Sequence, residues 1–155
     1  MRIDETEDFA TIQRLAYTIW REYYPAILTG EQIDYMLRSM YSIETLMADR
    51  KRGARFGLIE DVGFIGYELV KDTIKLHKLY IVAAARGRGV GAEALTYIAK
   101  RGQALGAKRI ELNVNKRNTI AQKAYERAGF TRGKGVVIDI GGGFVMDDYI
   151  YDKVI

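Results

Sequence analysis

The sequence contains no cysteine and a single histidine. Without cysteine there can be no disulfide bond, no thiol nucleophile and no zinc site built from thiolates. A single histidine also excludes a multi-histidine metal centre, and we expect no metal site. The chemistry of this protein therefore has to come from other side chains and from the backbone.

Long apolar segments are also absent, and there is only one proline. A membrane-spanning helix needs about 18 or more apolar residues, and no stretch approaches that length. The N-terminus, residues 1–8, is acidic where a signal peptide would be basic and then apolar. We expect a cytoplasmic protein with no membrane partner. Since no repeat or linker is visible, we expect one domain over residues 1–155.

The charge balance is close to even, with 24 Lys and Arg against 20 Asp and Glu, a net charge of +4. This excess is too small to imply a nucleic-acid partner, but it suits a small anionic ligand. A nucleic-acid module is a remote alternative, because basic residues cluster in one stretch: Lys108, Arg109, Lys116 and Arg117.

The N-terminal third has helical periodicity. Apolar residues recur at three- and four-residue steps from Asp8 to Tyr24, with Asp8 placed as the cap. Thr29 and Ser42 are capping residues for two further helices, which are predicted to end at Met40 and near Lys51.

The rest of the chain alternates between strands and helices. A long helix ends at Gly106, and a second is capped by Asn118 and ended by Gly129. The long helix connects two strands, which makes a βαβ crossover with a parallel central pair, so the class is α+β with a mixed sheet. Strands are predicted over residues 54–60, 62–70, 73–82, 109–114, 131–140 and 144–151.

A glycine-rich segment, Arg86-Gly87-Arg88-Gly89-Val90-Gly91, lies between a strand and the long helix. Glycines let the backbone approach a ligand, a helix N-terminus presents free amides, and the arginines add charge. The segment therefore predicts a pyrophosphate site. The alternative is a flexible loop with solvated arginines, and the spacing fits neither a dinucleotide-binding motif nor a P-loop.

Two motifs resemble the GNAT family of acetyl-CoA-dependent N-acetyltransferases. The segment Arg86–Gly91 fits the family pattern Q/R-x-x-G-x-G/A, and residues 118–130 match N-x-x-A-x-x-x-Y-x-x-x-G-F. The resemblance implies a seven-stranded, mostly antiparallel sheet in α/β/α layers, splayed between its fourth and fifth strands. It also implies acetyl transfer from acetyl-CoA to a primary amine, and a possible homodimer through C-terminal strands.

The resemblance further implies which residues bind the cofactor. Fourth-strand backbone groups would pair with the pantetheine arm, the glycine-rich segment would hold the pyrophosphate, and the helix capped by Asn118 would lie along the other side. The residues are Leu79, Tyr80, Ile81, Arg86, Gly87, Arg88, Gly89, Val90, Gly91, Asn118 and Ala121.

Tyr125 matches the general acid of the family. A phenol with a pKa of about 10 is protonated at neutral pH and can pass its proton to a thiolate with a pKa of about 8.5. The alternative is a core tyrosine on a stripe of alanines. Members of the family carry a Glu that acts as general base at one of two positions. At these positions this chain has Asn113 and Lys75.

The general base therefore has two candidates. Strand alternation places His77 on the face of Lys75, Leu79 and Ile81, where its imidazole suits deprotonation of an amine through water. Asn113 instead would hold a water that relays the proton. A surface role for His77 is the alternative. Because both usual bases are absent, a non-catalytic CoA-binding module is the second hypothesis for the chain.

Two segments bear on the amine acceptor, which the sequence leaves as a small-molecule amine, a polyamine or a peptide amine. Trp20, Glu22 and Tyr24 lie where family members shape the acceptor pocket, although Trp20 and Tyr24 can equally cover the core. Asp147 and Asp148 predict a solvated acidic patch beside a hairpin loop at residues 139–144, with an acceptor-side role open.

Overall fold

A seven-stranded mixed sheet carries helices on both faces in this computed structural model, which describes residues 1–155. The strands are β1 (Ile3–Glu5), β2 (Arg55–Ile59), β3 (Gly63–Val70), β4 (Thr73–Ile81), β5 (Arg109–Asn115), β6 (Thr131–Gly141) and β7 (Phe144–Val154). Their spatial order is β1-β2-β3-β4-β5-β7-β6, and every neighbouring pair is antiparallel except β4 and β5. The predicted fold class is confirmed.

Side-chain caps define where four of the five helices begin. Asp8, Thr29, Ser42 and Asn118 each accept a hydrogen bond from the backbone amide three residues later, as the sequence predicts. The helices are α1 (Phe9–Tyr23), α2 (Gly30–Met40), α3 (Ile43–Arg52), α4 (Val90–Ala104) and α5 (Thr119–Arg127), with short 3-10 turns at Tyr24–Ala26 and Ala83–Ala85.

Two hydrophobic cores lie between the helices and the sheet, one on each face of the sheet. Helices α1, α2 and α3 cover the side that we call the α1 face, where Tyr41 packs against Trp20 of α1 and Phe64 of β3. Helices α4 and α5 cover the α4 face, where Ile98 packs with Ile74 of β4 and Tyr151 of β7. This arrangement is the α/β/α layering that the family resemblance implies.

Strands β4 and β5 pair over only three positions. Thr73, Ile74 and Lys75 pair with residues 109–111, and beyond them β4 continues to Ile81 without a partner on β5. A Lys75–Glu111 ion pair stands at the last paired position. The sheet therefore opens between its fourth and fifth strands, and one backbone edge of β4 is left free.

Two features of the sheet differ from the prediction. Strand β1, of three residues, was not predicted, because so short a segment carries no readable alternation. The β3–β4 register also shifts between Gly66 and Tyr67, which leaves His77 without a partner on β3. This bulge reverses the side-chain alternation along β4.

The bulge decides the orientation of His77. Leu79 and Ile81 pack in the α4-face core, whereas His77 turns toward Glu68, which lies 3.8 Å from Arg52 of α3 on the α1 face. The expectation that His77 shares a face with Leu79 and Ile81 is therefore wrong. Strict alternation fails here because the bulge places one extra residue in β4.

Candidate active site

The glycine-rich segment ends in an uncapped helix N-terminus. Gly87 and Gly89 have φ of +76° and +77°, a conformation that favours glycine, and no side chain caps α4. The backbone amides from Gly87 to Ala92 donate to no carbonyl of the chain. Because these amides and the helix dipole point at the same space, the segment has the geometry of an anion site.

The two arginines of the segment differ in how they are held. The Arg86 guanidinium lies 4.9 Å from the ring centre of Tyr23, and its Nε donates to the carbonyl of Ile81 at 3.2 Å. Arg88 is exposed and makes no ion pair. Arg86 is therefore oriented by α1 and β4, while Arg88 is free to meet an anion.

A cleft of about 1590 Å³ starts at this segment and passes through the opening between β4 and β5. Its walls include Leu79 and Tyr125 from the α4 face and Tyr80 and Asp148 from the α1 face. The two sides of the sheet are therefore connected through one cavity. The predicted site residues that line it are Trp20, Glu22, Tyr24, His77, Leu79, Tyr80, Ile81, Arg86, Gly87, Gly91, Asn113, Asn118, Ala121 and Tyr125. Arg88, Gly89 and Val90 lie outside the lining.

Tyr125 projects from α5 into this cleft. Its ring packs edge-on against Phe130, with 5.6 Å between the ring centroids. The centroid of the Tyr151 ring lies 6.5 Å away. Its hydroxyl makes no hydrogen bond within the chain. Burial is the main cause that raises the pKa of this phenol, and the negative charges that Tyr24 and Tyr23 carry when ionised raise it further. The hydroxyl is therefore a protonated donor at neutral pH, without a partner in the chain.

Aromatic side chains form the α1-face wall of the cleft. Trp20 is 3% exposed and packs 4.6 Å from Tyr24 and 5.6 Å from Tyr80, measured between ring centroids. The hydroxyls of Tyr24 and Tyr80 are 3.2 Å apart, and burial raises the pKa of Tyr24 to about 12. Trp20 thus belongs mainly to the core, while the two tyrosines present polar tips to the cavity.

The remaining sequence candidates occupy different parts of the cleft. Glu22 is an exposed residue on its rim, and His77 pairs with Glu68 at 2.7 Å between Nε2 and Oε1. Asn113 of β5 lines the cavity, but an amide cannot take a proton. Asn118 uses Oδ1 to accept from the Ala121 amide and from the hydroxyl of Tyr23.

Asp148, like His77, lies in a different place from the one that the sequence predicts. Its exposure is 1%, and neither carboxylate oxygen has a partner in full hydrogen-bonding geometry. Asp147, by contrast, is exposed and pairs with Lys116 at 2.7 Å. The predicted solvated patch is therefore wrong for Asp148, because alternation along β7 turns it inward with Met146 and Ile150. That alternation was the available signal.

Burial raises the pKa of the Asp148 carboxyl. The nearby Asn113 side chain opposes that shift, Asp147 reinforces it, and Lys116 opposes it. Asp148 also lies close enough to Tyr24 for its charge to raise the pKa of that phenol. A carboxylate, an amide and a phenol thus converge in the cleft on the α1 face.

The model for the Acetyltransferase (GNAT) family matches residues 12–130. The chain belongs to this family. It is an acetyl-CoA-dependent N-acetyltransferase, as the two sequence motifs imply. The free amides of the Gly87–Ala92 segment and the open edge of β4 are the features that fit such a cofactor.

An acetyltransferase sequence and a solved acetyltransferase structure from Thermoplasma acidophilum are similar to this chain. The spermidine N(1)-acetyltransferase of Thermoplasma acidophilum is 25% identical over 133 residues, which cover 80% of this chain and 83% of that protein. The crystal structure of PaiA N-acetyltransferase from Thermoplasma acidophilum in complex with coenzyme A superposes with a TM-score of 0.79, 23% identity and full coverage of both chains.

A second solved GNAT structure shows how far the fold extends beyond sequence similarity. The GCN5-related N-acetyltransferase structure from Rhodopseudomonas palustris has a TM-score of 0.81 at 16% identity, covering 99% of this chain and 95% of that one. At these identities the solved structures support the fold alone.

The basic stretch that suggested nucleic acid is mostly engaged within the chain. Arg109 lies 3.1 Å from both Glu111 and Asp152, and Arg117 donates to the carbonyl of Ile27. Lys116 pairs with Asp147, as described above. No helix of the protein is long and apolar enough to span a bilayer.

Proposed function

We propose that this GNAT enzyme transfers the acetyl group directly to a primary amine while both substrates are bound, with Tyr125 as general acid. The observation that carries the proposal is the cleft through the sheet. It joins the anion site and Tyr125 on the α4 face to a separate chamber on the α1 face. Two substrates can therefore enter from opposite sides and meet inside.

The cofactor side is proposed from charge and backbone geometry. Acetyl-CoA, when bound, supplies the thioester carbonyl and the thiolate leaving group. The amides of the Gly87–Ala92 segment would hold the diphosphate, and the unpaired edge of β4 would pair with the pantetheine amides. The proposed contact residues are Leu79, Tyr80, Ile81, Arg86, Gly87, Arg88, Gly89, Val90, Gly91, Asn118 and Ala121.

Tyr125 would donate its phenolic proton to the departing sulfur. Burial raises the pKa of this phenol, so the hydroxyl is protonated at neutral pH. The same burial would destabilise the developing thiolate, and this gives the sulfur its affinity for the proton. For the amine, the sequence offers His77 as the base or a water held by Asn113, and both line the cleft.

Trp20, Glu22 and Tyr24 would shape the acceptor chamber. The chamber admits a small-molecule amine, a polyamine or a peptide amine. A polyamine is supported by the name of the Thermoplasma relative and by carboxylates at two depths of the chamber, Glu22 at the rim and Asp148 within. Two carboxylates along one chamber suit a cation that carries more than one charge.

A thermal-shift titration with acetyl-CoA, followed by a thiol-release screen over amines, tests this function. Saturation at about 100 times Kd stabilises a protein by about 2.7 kcal/mol, so binding will be visible as a raised Tm. Thiol release with at least one primary amine supports the proposal. Cofactor binding without transfer to any amine supports the second hypothesis, a non-catalytic CoA-binding module.

We also propose that two copies associate through β6, in line with the family resemblance. Strand β6 is the last strand of the sheet, and Val137 and Ile138 are 65% and 40% exposed on it. An unpaired apolar edge strand is a surface that proteins usually cover. Light scattering on the purified protein will give twice the 17.6 kDa chain mass if the proposal holds.

A further inference from the structure

We propose that Asp148 binds the ammonium group of the acceptor amine and takes its proton during acetyl transfer. This inference rests on the proposed function and names the residue that performs the step for which the two usual glutamates are absent. It also defines the acceptor class as primary alkylammonium compounds.

The state of the Asp148 carboxylate is the first observation. The side chain is 1% exposed, and neither oxygen has a partner in full hydrogen-bonding geometry, although the Asn113 amide lies close enough to lower the pKa of the carboxyl. Burying an unpaired carboxylate is costly, so such a group in a folded protein calls for a partner that the chain itself does not supply. A cation delivered by the substrate is such a partner.

The position of Asp148 is the second observation. It pairs with Asn115 in the β5–β7 ladder, which places it diagonally from Asn113 on the same face of the sheet. Both residues line the cleft on its α1-face side. Asp148 therefore lies on the α1 face, whereas Tyr125 and the anion site lie on the α4 face. The acceptor would approach from the α1 face.

No cationic side chain of the protein forms an ion pair with Asp148. Lys116 is the nearby cation, but its ammonium pairs with Asp147 at 2.7 Å. Tyr24 faces Asp148 from the 3-10 turn that follows α1, and Asn113 faces it from β5. Neither of these side chains carries positive charge, so an incoming ammonium has no internal competitor.

The aromatic wall selects the kind of cation. The rings of Tyr24 and Tyr80 line the cleft on the same face of the sheet as the carboxylate, and ring faces attract ammonium groups. An alkylammonium carries a compact charge on an apolar stem, which fits one carboxylate between aromatic rings. A neutral aryl amine would gain nothing from that carboxylate.

The proton balance of the step requires a base at this place. Two protons leave the acceptor nitrogen as its bond to the acetyl carbon forms and the carbon–sulfur bond breaks. One passes to Asp148, directly or through a water held by Asn113, and is released to solvent. The other replaces the proton that Tyr125 gives to sulfur. Asp148 is favoured over His77 because it lies diagonally from Asn113 on the cleft face of the sheet, whereas the His77 ring turns toward Glu68 beside α3.

Asp148→Asn tests the inference, with Asp152→Asn as the matched control. Asp152 lies on the same strand but is half-exposed and paired with Arg109. With spermidine as probe, we expect kcat/KM of Asp148→Asn to fall by about 100-fold or more, and the acidic limb of its pH profile to disappear. With phenylhydrazine, which is neutral at neutral pH, we expect a much smaller loss.

A binding measurement separates this inference from the proposed function. With CoA present, spermidine should raise the Tm of the wild type and of Asp152→Asn, but not that of Asp148→Asn, while CoA alone stabilises all three. Equal kcat/KM and equal spermidine shifts for the two variants would overturn the role of Asp148. Failure of the wild type to acetylate any amine would overturn the proposed function, whatever the spermidine shifts show.

Discussion

The hydroxyl of Tyr23, the last residue of α1, donates a hydrogen bond to Oδ1 of Asn118, the cap of α5. These helices cover opposite faces of the sheet, so the bond crosses the mouth of the opening between β4 and β5. The guanidinium of Arg86 lies over the same tyrosine ring. One side chain thus connects both helical layers to the anion site.

Tyr23→Phe should lower the free energy of unfolding by about 1 kcal/mol, because it removes one partly buried hydrogen bond and keeps the ring. We also expect weaker CoA binding, since α5 and Arg86 lose a common support. Urea denaturation and CoA titration by calorimetry measure the two effects. Tyr17→Phe is the control, because Tyr17 lies on the same helix and packs against the same core, but its hydroxyl makes no hydrogen bond within the chain. Equal stabilities of the two variants would show that the bond to Asn118 contributes nothing.

Tyr125→Phe should reduce kcat by about 100-fold or more and leave the CoA affinity unchanged. The phenylalanine ring keeps the packing against Phe130 and Tyr151, so the loss isolates the hydroxyl. Since burial raises the pKa of Tyr125, the wild-type phenol stays protonated, and kcat should decline only when the pH rises through that raised value. Steady-state thiol release across pH measures both effects. A variant with wild-type kcat would exclude Tyr125 as the acid.

The sequence predicted local structure well where a single residue type determines it. Asp8, Thr29, Ser42 and Asn118 were identified as caps because a side-chain oxygen three residues before a backbone amide satisfies it in any fold. The glycine-rich segment was predicted for a similar reason, since positive φ at Gly87 and Gly89 requires glycine. The strand opening came only from the family resemblance, because strand separation leaves no local pattern.

Errors arose where the local pattern depends on tertiary register. The bulge at His77 follows from a shift between two strands, which alternation along β4 alone does not reveal. Asp148 looked like a solvated acid because acidic residues are usually exposed, but its position on β7 turns it into the cleft. Both errors concern the acceptor side of the cleft, where burial of polar groups departs from the usual rule.

Arg88→Ala should weaken CoA binding without affecting stability. Arg88 is exposed, makes no ion pair and stands beside the free amides of the anion site. We expect Kd to rise about tenfold, or about 1.4 kcal/mol, and to depend less steeply on salt than in the wild type. Calorimetric titration at low and high salt measures this, with Arg38→Ala, an exposed arginine on α2, as control. If both variants bind CoA equally well, Arg88 does not contact the diphosphate.

Stability should depend on pH through Asp148. Because burial raises the pKa of its carboxyl, the folded protein binds this proton more tightly than the unfolded chain does. The free energy of unfolding should therefore fall as the pH rises from the ordinary aspartate pKa of about 3.9 through the raised value, and level off above it.

Asp148→Asn removes this ionisation and should unfold at higher urea concentration than the wild type at neutral pH, with the difference shrinking as the pH falls toward about 4. Urea denaturation across this range measures it. Asp152→Asn should show the opposite sign, because its carboxylate pairs with Arg109 at 3.1 Å and its loss removes an attraction. Parallel stability curves for the wild type and Asp148→Asn would mean that another group of the free protein compensates the carboxylate. That result would contradict the proposal that a substrate cation is its missing partner.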